Sequence, residues 1–360
     1  MIGIDLFAGA GGMSLGAIQC DIKVLAAVEN DPWAAMTHSH NFKDTKVICE
    51  NVKDVTTRTL NINHRKEPLI IFGGPPCKGF STSNQKTRSA SNPSNWLFLE
   101  YIRLIKEIRP EWIVFENVKG IIETEQGVFL NYVLEHLDSL NYKLGWKVLN
   151  ASHFGIPQKR SRLFIVGTLE KHRNFQFPAS SNDTCITVKD AISDLPELTA
   201  GANTNELPYK CEPASQYAEK LKGALKKTTN HLVTKNAPSV IERYQYIPQG
   251  GNWENIPELL MSNYKDKSRC HTGIYHRLKN DEPSVVIGNY RKNMLIHPTQ
   301  DRGLSVREAA RLQSFPDWFE FKGSIGFQQQ QVGNAVPPLL AKAVFQSIQK
   351  ACAFNIQEKN

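Results

Sequence analysis

Nowhere does the chain run through the roughly eighteen consecutive apolar residues that a membrane-spanning helix requires, so no membrane span is expected. Its first residues, Met1-Ile2-Gly3-Ile4-Asp5-Leu6-Phe7, read as a strand. They lack the charged start, apolar stretch and cleavage site of a secretory leader, and a cytosolic protein is expected. Cysteine is sparse, with 7 in 360 residues, and Cys20, Cys49, Cys77, Cys185, Cys211, Cys270 and Cys352 form no CxxC pair. An odd, scattered set argues against a disulfide framework and a structural zinc site, so reduced thiols and no metal are expected. The dinucleotide fingerprint GxGxxG is missing too, because Ser14 stands where its last glycine would follow Gly11, and this disfavours NAD. A large charge excess is also absent. Against 35 acidic residues stand 43 lysines and arginines, and the resulting +8 is compatible with a polyanionic partner without requiring one.

Apolar residues are plentiful, at 41%, which suffices for one large domain or two of medium size. The first half alternates β-rich runs with helical patterns. Strands are expected at Ile2–Phe7, Val24–Val28, Leu69–Phe72 and Trp112–Phe115, with helices from about Gly12, from about Pro32 and through Phe98–Ile108. Such alternation implies βαβ units, hence an α/β fold with a parallel sheet. Two further β-rich runs, Leu144–Asn150 and Leu163–Leu169, flank the turn-like Phe154-Gly155-Ile156-Pro157. From about Ala200 to about Gln300 periodicity weakens while Asn, Lys, Pro, Tyr and Gly accumulate, as expected of a second, less regular domain. Order returns at Leu304, with a helix-like Val306–Gln313 and a final amphipathic Pro338–Ala351.

Residues suited to chemistry gather at the expected strand ends. Cys77 lies in Phe72-Gly73-Gly74-Pro75-Pro76-Cys77-Lys78-Gly79-Phe80-Ser81, on a loop stiffened by two prolines and loosened by glycines. Ligands in open α/β sheets collect at the carboxyl ends of strands, so this thiol is placed as a nucleophile; a buried cysteine acting as a small hydrophobe is the bland alternative. The segment Asp5–Gly16 runs from a strand through a glycine turn into a helix, where a backbone can approach a ligand closely. In Val28-Glu29-Asn30-Asp31 an acidic residue closes the second strand, and a carboxylate there can accept both hydroxyls of a ribose. Glu116 follows the apolar Trp112–Phe115 and is placed like Cys77. Arg160 and Arg162 alternate on a short extended run, so both can face one side.

Six segments fall into one order: Asp5–Gly16, Gly73–Ser81, Glu116-Asn117-Val118, Gln158–Arg162, Leu304–Asp317 and Gln331–Pro338. Together they resemble the DNA (cytosine-5) methyltransferase family, of the bacterial restriction-modification type, over nearly the whole chain. The resemblance implies a Rossmann-like S-adenosylmethionine-dependent methyltransferase sheet, formed by residues 1–200 with 301–360, and a smaller irregular target-recognition domain at 201–300. It implies S-adenosylmethionine as cofactor and S-adenosylhomocysteine as product. Phe7, Ala8, Gly9, Gly11 and Gly12 would line that cofactor, with Glu29 and Asn30 at the ribose end and Asn334 and Val336 at the methionine end. Pro75 and Leu97 complete the set with Asn51 and Val52, Asn51 standing where the family often has an aspartate that reads the adenine amino group. Ahead of Leu97, Asn92-Pro93-Ser94-Asn95-Trp96 lacks the arginine that many members carry.

The same resemblance assigns the chemistry. Cys77 would attack carbon 6 of a cytosine, Glu116 would serve its N3, Arg162 its O2, and Arg160 a phosphate. The substrate implied is double-stranded DNA with the target base flipped out, beneath a lid at about Thr82–Asn95. Tyr244, Tyr246, Trp253, Tyr264 and Tyr275 would belong to the lobe that reads the major groove. A monomer in the bacterial cytosol at the nucleoid is expected, with a cognate restriction endonuclease acting separately. The Cys-Phe-Thr tripeptide of the family's transfer-RNA branch does not occur in the sequence.

Overall fold

The computed structural model describes residues 1–60, 67–76, 97–123, 127–169, 175–180, 185–262, 273–288, 290–291 and 294–357. The chain divides into two compact units, the first made of Met1–Asn150, Ser161–Ser180 and Pro338–Asn360, the second of Ala151–Arg160 and Ser181–Pro337. Among the described residues no helix is long and apolar enough to cross a membrane.

The first unit is built on a 7-stranded sheet. Its strands are β1 (Ile2–Leu6), β2 (Lys23–Val28), β3 (Lys46–Ile48), β4 (Leu69–Gly73), β5 (Trp112–Val118), β6 (Lys143–Asn150) and β7 (Ser161–Thr168), in the order β3-β2-β1-β4-β5-β7-β6. The pairs from β3 across to β5 are parallel, while β7 runs antiparallel to both β5 and β6. Central parallel strands are covered on both faces, which is why β1 and β4 are buried at every position and read as continuous apolar runs. Asp5 is the exception to that apolar reading. From β1 the chain builds outward to β2 and β3, then returns to the other side of β1 with β4 and β5. That reversal opens a crevice at the carboxyl ends of β1 and β4, the place where such sheets bind ligands. The helix α1 (Gly12–Ile18) is covered by the helix Pro338–Gln357. The approach is close enough that a Cβ on Gly16 would stand 2.7 Å from the Cβ of Ala341.

The second unit has little regular structure. Short helices such as Gln216–Lys222, Pro238–Gln245, Val306–Leu312 and Ile325–Asn334 alternate with long irregular stretches. One apolar cluster gathers Tyr244, Ile247, Ile256, Met261, Tyr275 and Ile296. A second group packs the rings of Phe315, Phe319 and Phe321 together, and ion pairs are buried in this unit as well. Arg302 donates to both carboxyl oxygens of Glu308 at 2.8 and 2.7 Å. Arg311 donates to Asp194 at 2.8 and 2.9 Å and to Asp317 at 2.8 and 2.7 Å. Glu308 also closes a capping box with Ser305 at the start of Val306–Leu312, so the segment Leu304–Asp317 carries its own folding signal.

One sequence-based expectation changes here. The division of the chain differs from the expected 1–200 with 301–360, because residues 151–160, 181–200 and 301–337 pack in the second unit. Backbone bonds explain it: Lys159 N–H donates to the Ser284 carbonyl at 2.8 Å, Val188 N–H to Glu282 at 2.9 Å and Arg307 N–H to Asn230 at 2.9 Å. Within the region expected to read DNA, Tyr244 and Tyr275 are 1% and 0% exposed and form core, because a tyrosine ring is mostly hydrocarbon. Tyr246 is exposed, whereas Tyr264 and the expected lid at Thr82–Asn95 lie outside the described residues.

Candidate active site

Strand register lines up the candidate site positions of the first unit. Leu6 pairs with both Val28 and Gly73, and Gly73 pairs with Phe115. The next residues, Phe7, Glu29, Gly74 and Glu116, therefore leave the parallel strands along one line at their carboxyl edge. Cys77, three residues beyond Gly74, lies outside the described residues.

Beyond that line β5 continues by antiparallel pairing with β7, where Glu116 faces Phe164 and Val118 faces Arg162. Arg162 is thus the diagonal neighbour of Glu116 on one sheet face, within reach of a long side chain. The two meet, with Arg162 Nε 3.0 Å from Glu116 Oε1 and side chains only 12% and 10% exposed. Arg162 also donates from Nη1 to the Ser161 carbonyl at 2.8 Å. Burial lowers the pKa of this guanidinium while the charge of Glu116 opposes the shift. Gly74 makes the arrangement possible, since a Cβ there would sit 2.5 Å from Glu116 Oε2. Asn117 donates from Nδ2 to the Pro75 carbonyl at 3.1 Å and so ties β5 to the loop that follows β4. Sequence reasoning gave Asn117 no role, although it stands beside Glu116 in the matched segment.

The glycine loop turns sharply. Phe7, Gly9 and Gly11 have φ of 60°, 55° and 98°, all left-handed. For Phe7 this backbone costs on the order of 1 kcal/mol or more, so the fold must hold it there. Ala8 N–H donates to the Val28 carbonyl at 3.0 Å, and Gly11 N–H to that of Ala8 at 2.9 Å. Glu29 clamps the loop from β2: Oε2 accepts from Gly9 N–H and Oε1 from Asp31 N–H, each at 2.8 Å. Burial raises the Glu29 pKa, and these two amides work against the rise. Asp31 in turn caps the helix α2 (Pro32–Asn41) by accepting from the N–H groups of Trp33 and Ala34 at 2.9 Å.

These residues fit an adenosine-bearing cofactor. A Cβ at Gly9 would meet nothing within 4 Å, so a ligand can lie against the loop backbone there. A carboxylate offers about four lone-pair sites, which leaves Glu29 able to accept from a ribose after its two amides. Val52 is buried and Leu97 half-buried. Asn51 is exposed and its side-chain oxygen accepts from Lys53 N–H at 3.1 Å, capping a short 3-10 turn. Asn30 is exposed, while Ala8, Gly12 and Pro75 are buried. Asn334 and Val336 end the helix Ile325–Asn334 and its exit in the second unit.

Arg160 departs from expectation. It is 1% exposed, and its guanidinium donates to the carbonyls of Ile287, Gly333 and Ala335, each at 3.0 Å. A guanidinium so engaged braces the second unit and does not hold a phosphate. The reason is local: Arg160 precedes β7, and its N–H donates to the Gln158 carbonyl at 3.0 Å, so strand alternation does not carry it to the face of Arg162.

Comparison with known proteins follows the same lines. The family model described as C-5 cytosine-specific DNA methylase matches residues 1–350. The chain is 38% identical over 351 residues to Type II methyltransferase M1.HphI of Haemophilus parahaemolyticus, covering 96% of this chain and 86% of that one. It is 35% identical over 373 residues to Type II methyltransferase M.XorII of Xanthomonas oryzae, covering 97% and 85%. Among solved structures, a prophage-encoded protein of E. coli described as a DNA modification methyltransferase superposes with a TM-score of 0.80 at 26% identity, covering 98% of this chain and 99% of that one.

Proposed function

Because the chain belongs to the C-5 cytosine-specific DNA methylase family, it is an enzyme that moves a methyl group from S-adenosylmethionine to carbon 5 of cytosine in DNA, and we propose that Cys77, Glu116 and Arg162 carry the reaction. The cofactor, when bound, supplies an electrophilic methyl on a sulfonium. Carbon 5 of cytosine is a poor nucleophile until the ring is activated. Addition of the Cys77 thiolate at carbon 6 makes it an enamine-like carbon and moves electron density toward N3 and O2. Glu116 holds the proton at N3, and Arg162, 3.0 Å from its Oε1, orients that carboxyl and faces O2. After transfer, the proton on carbon 5 passes to solvent, its bonding electrons restore the carbon 5–carbon 6 double bond and the carbon–sulfur bond breaks, so a methyl has replaced a hydrogen and the thiolate returns.

The observation that supports this reading is the buried Glu116–Arg162 pair, with Glu116 on the strand-end line directly beside Gly74. Glycine loop and Glu29 are assigned to the cofactor. The substrate is duplex DNA with the target cytosine turned out of the stack, as the inaccessibility of carbon 6 within a helix requires. The second unit, with its irregular loops, is assigned to target recognition. Relatives that are Type II methyltransferases support a role as the modification partner of a separately acting restriction endonuclease. We take the enzyme to act as a cytosolic monomer.

The test is a duplex containing 5-fluorocytosine, in which fluorine blocks loss of the group on carbon 5 and traps the adduct. With S-adenosylmethionine the wild-type chain should form a complex that survives denaturation, and Cys77→Ser should form none. Undiminished turnover by Cys77→Ser would refute the nucleophile, and exclusive activity on transfer RNA would refute the substrate. Glu116→Gln should lose about 10²- to 10⁴-fold in kcat, the usual worth of a positioned proton donor.

A further inference from the structure

β1 carries a carboxyl where its neighbours demand hydrocarbon. Asp5 is 1% exposed, paired in register with Ala27 on one side and Phe72 on the other. A buried carboxyl in such a place is costly unless it is bonded, and an apolar side chain would serve the sheet better. Its partner is Ser14 of α1, also fully buried, whose hydroxyl donates to Asp5 Oδ2 at 2.7 Å. The same Oγ lies 3.0 Å from Nε2 of His38 on α2, and His38 is 0% exposed. With the hydroxyl proton directed at Asp5, Nε2–H of His38 is the donor to Ser14. Three polar groups from β1, α1 and α2 thus form one chain of hydrogen bonds. The loop that joins the first two of those elements is Phe7–Gly11.

We propose that Asp5, Ser14 and His38 are positioning residues for S-adenosylmethionine: their buried relay fixes β1, α1 and α2 relative to one another and so holds the glycine loop in its left-handed, cofactor-ready path. This rests on the assignment of that loop to the cofactor. His38 acts on the loop directly as well as through Ser14, because a Cβ on Gly11 would stand 2.9 Å from His38 Cδ2 and 2.4 Å from Phe42 Cε2. Its ring is packed against Phe42 with centroids 4.6 Å apart. The loop's tight turn therefore rests on the imidazole that also terminates the relay. Burial keeps the imidazole neutral, with its pKa down to about 3, and pushes the Asp5 carboxyl up to about 8, so the relay runs between uncharged groups near neutral pH.

The measurement is equilibrium binding of S-adenosylhomocysteine by calorimetry, which needs no turnover, alongside KM and kcat with S-adenosylmethionine and amide exchange at residues 8–12. Ser14→Ala should weaken binding about tenfold and raise KM in step, leave kcat at saturation within about threefold, and speed amide exchange in the loop without ligand. His38→Phe keeps a ring against Gly11 and Phe42 but removes the donor, and should show the same pattern more weakly. His38→Gln, which returns an N–H at similar reach, should bind more tightly than His38→Phe. A folded Ser14→Ala chain with wild-type affinity and exchange overturns the proposal; should that variant not fold, His38→Phe with unchanged affinity does so. Failure of the wild-type chain to bind S-adenosylhomocysteine at all would instead overturn the cofactor assignment on which the proposal rests.

Discussion

The two units bury acidic side chains in opposite ways. In the first, Asp5 lies in an apolar strand with a serine hydroxyl as its partner, and the charge that acts on it is Glu29, of the same sign. In the second, Glu308, Asp194 and Asp317 are each gripped by arginines at 2.7 to 2.9 Å. Burial wins for Asp5, whose pKa rises to about 8, whereas Arg302 overcomes the same penalty at Glu308 and holds it at about 2. One arrangement keeps a neutral hydrogen bond beneath the left-handed glycine loop. The other uses charge to fix a region with few sheet ladders. Removing one partner from such a buried ion network exposes the desolvation cost that the partner had offset.

The strongest way to break this contrast is Arg311→Met. It leaves Asp194 and Asp317 buried without the arginine they share and should destabilise the protein by about 3–5 kcal/mol in urea titration. A loss under about 1 kcal/mol would mean that the arginine network contributes little. Next in size is the pH response. The folded pKa of Asp5 lies above its ordinary 3.8, so its contribution to stability is full below about pH 4 and is lost as pH rises through about 8. Glu308 has the opposite sign: its folded pKa lies below 4.5, so its contribution is full above that pH and is lost as pH falls toward 2. Melting temperatures of wild type and Asp5→Asn between pH 5 and 9 should converge at the acid end and diverge in the variant's favour toward alkali. Parallel curves would show that Asp5 is ionised in the fold. Smallest of all is Glu197→Gln, which removes an exposed partner of Lys210 and should leave the melting temperature unchanged.

Much of the first unit was legible because its signals are local. Apolar runs mark the central strands, and a polar or glycine residue at the end of each marks the ligand edge; Glu29 and Glu116 lie where that rule places them. The relay under the loop was not legible. Ser14 and His38 are 24 residues apart, and their meeting depends on how α1 and α2 pack. A visible hint remained in the lone aspartate within Ile2–Leu6. Arg160 misled because alternation was extended one residue outside β7, into a turn. The facing of the aromatic residues in the irregular region was not legible either: composition counts Tyr244 and Tyr275 without telling which way a ring faces, and both rings turn inward around Met261 and Ile296. Domain boundaries escaped because the bonds joining 157–159 to Ser284 and 307 to Asn230 cross long stretches of sequence.

The cover on α1 has a consequence for how the protein is made. Cys20, just past the end of α1, donates from Sγ to the Lys342 carbonyl at 3.5 Å across 322 residues of chain, and Gln349 reaches the Cys20 carbonyl. At about 5–20 residues per second, a ribosome needs roughly 16–60 seconds to span that interval. Throughout it the face of α1 around Gly16 and Ala17 waits for its partner helix, open to chaperones and to other nascent chains. Closure of the first unit therefore waits until Pro338–Gln357 has been made, and a chain terminated shortly before Pro338 would be left with α1 uncovered.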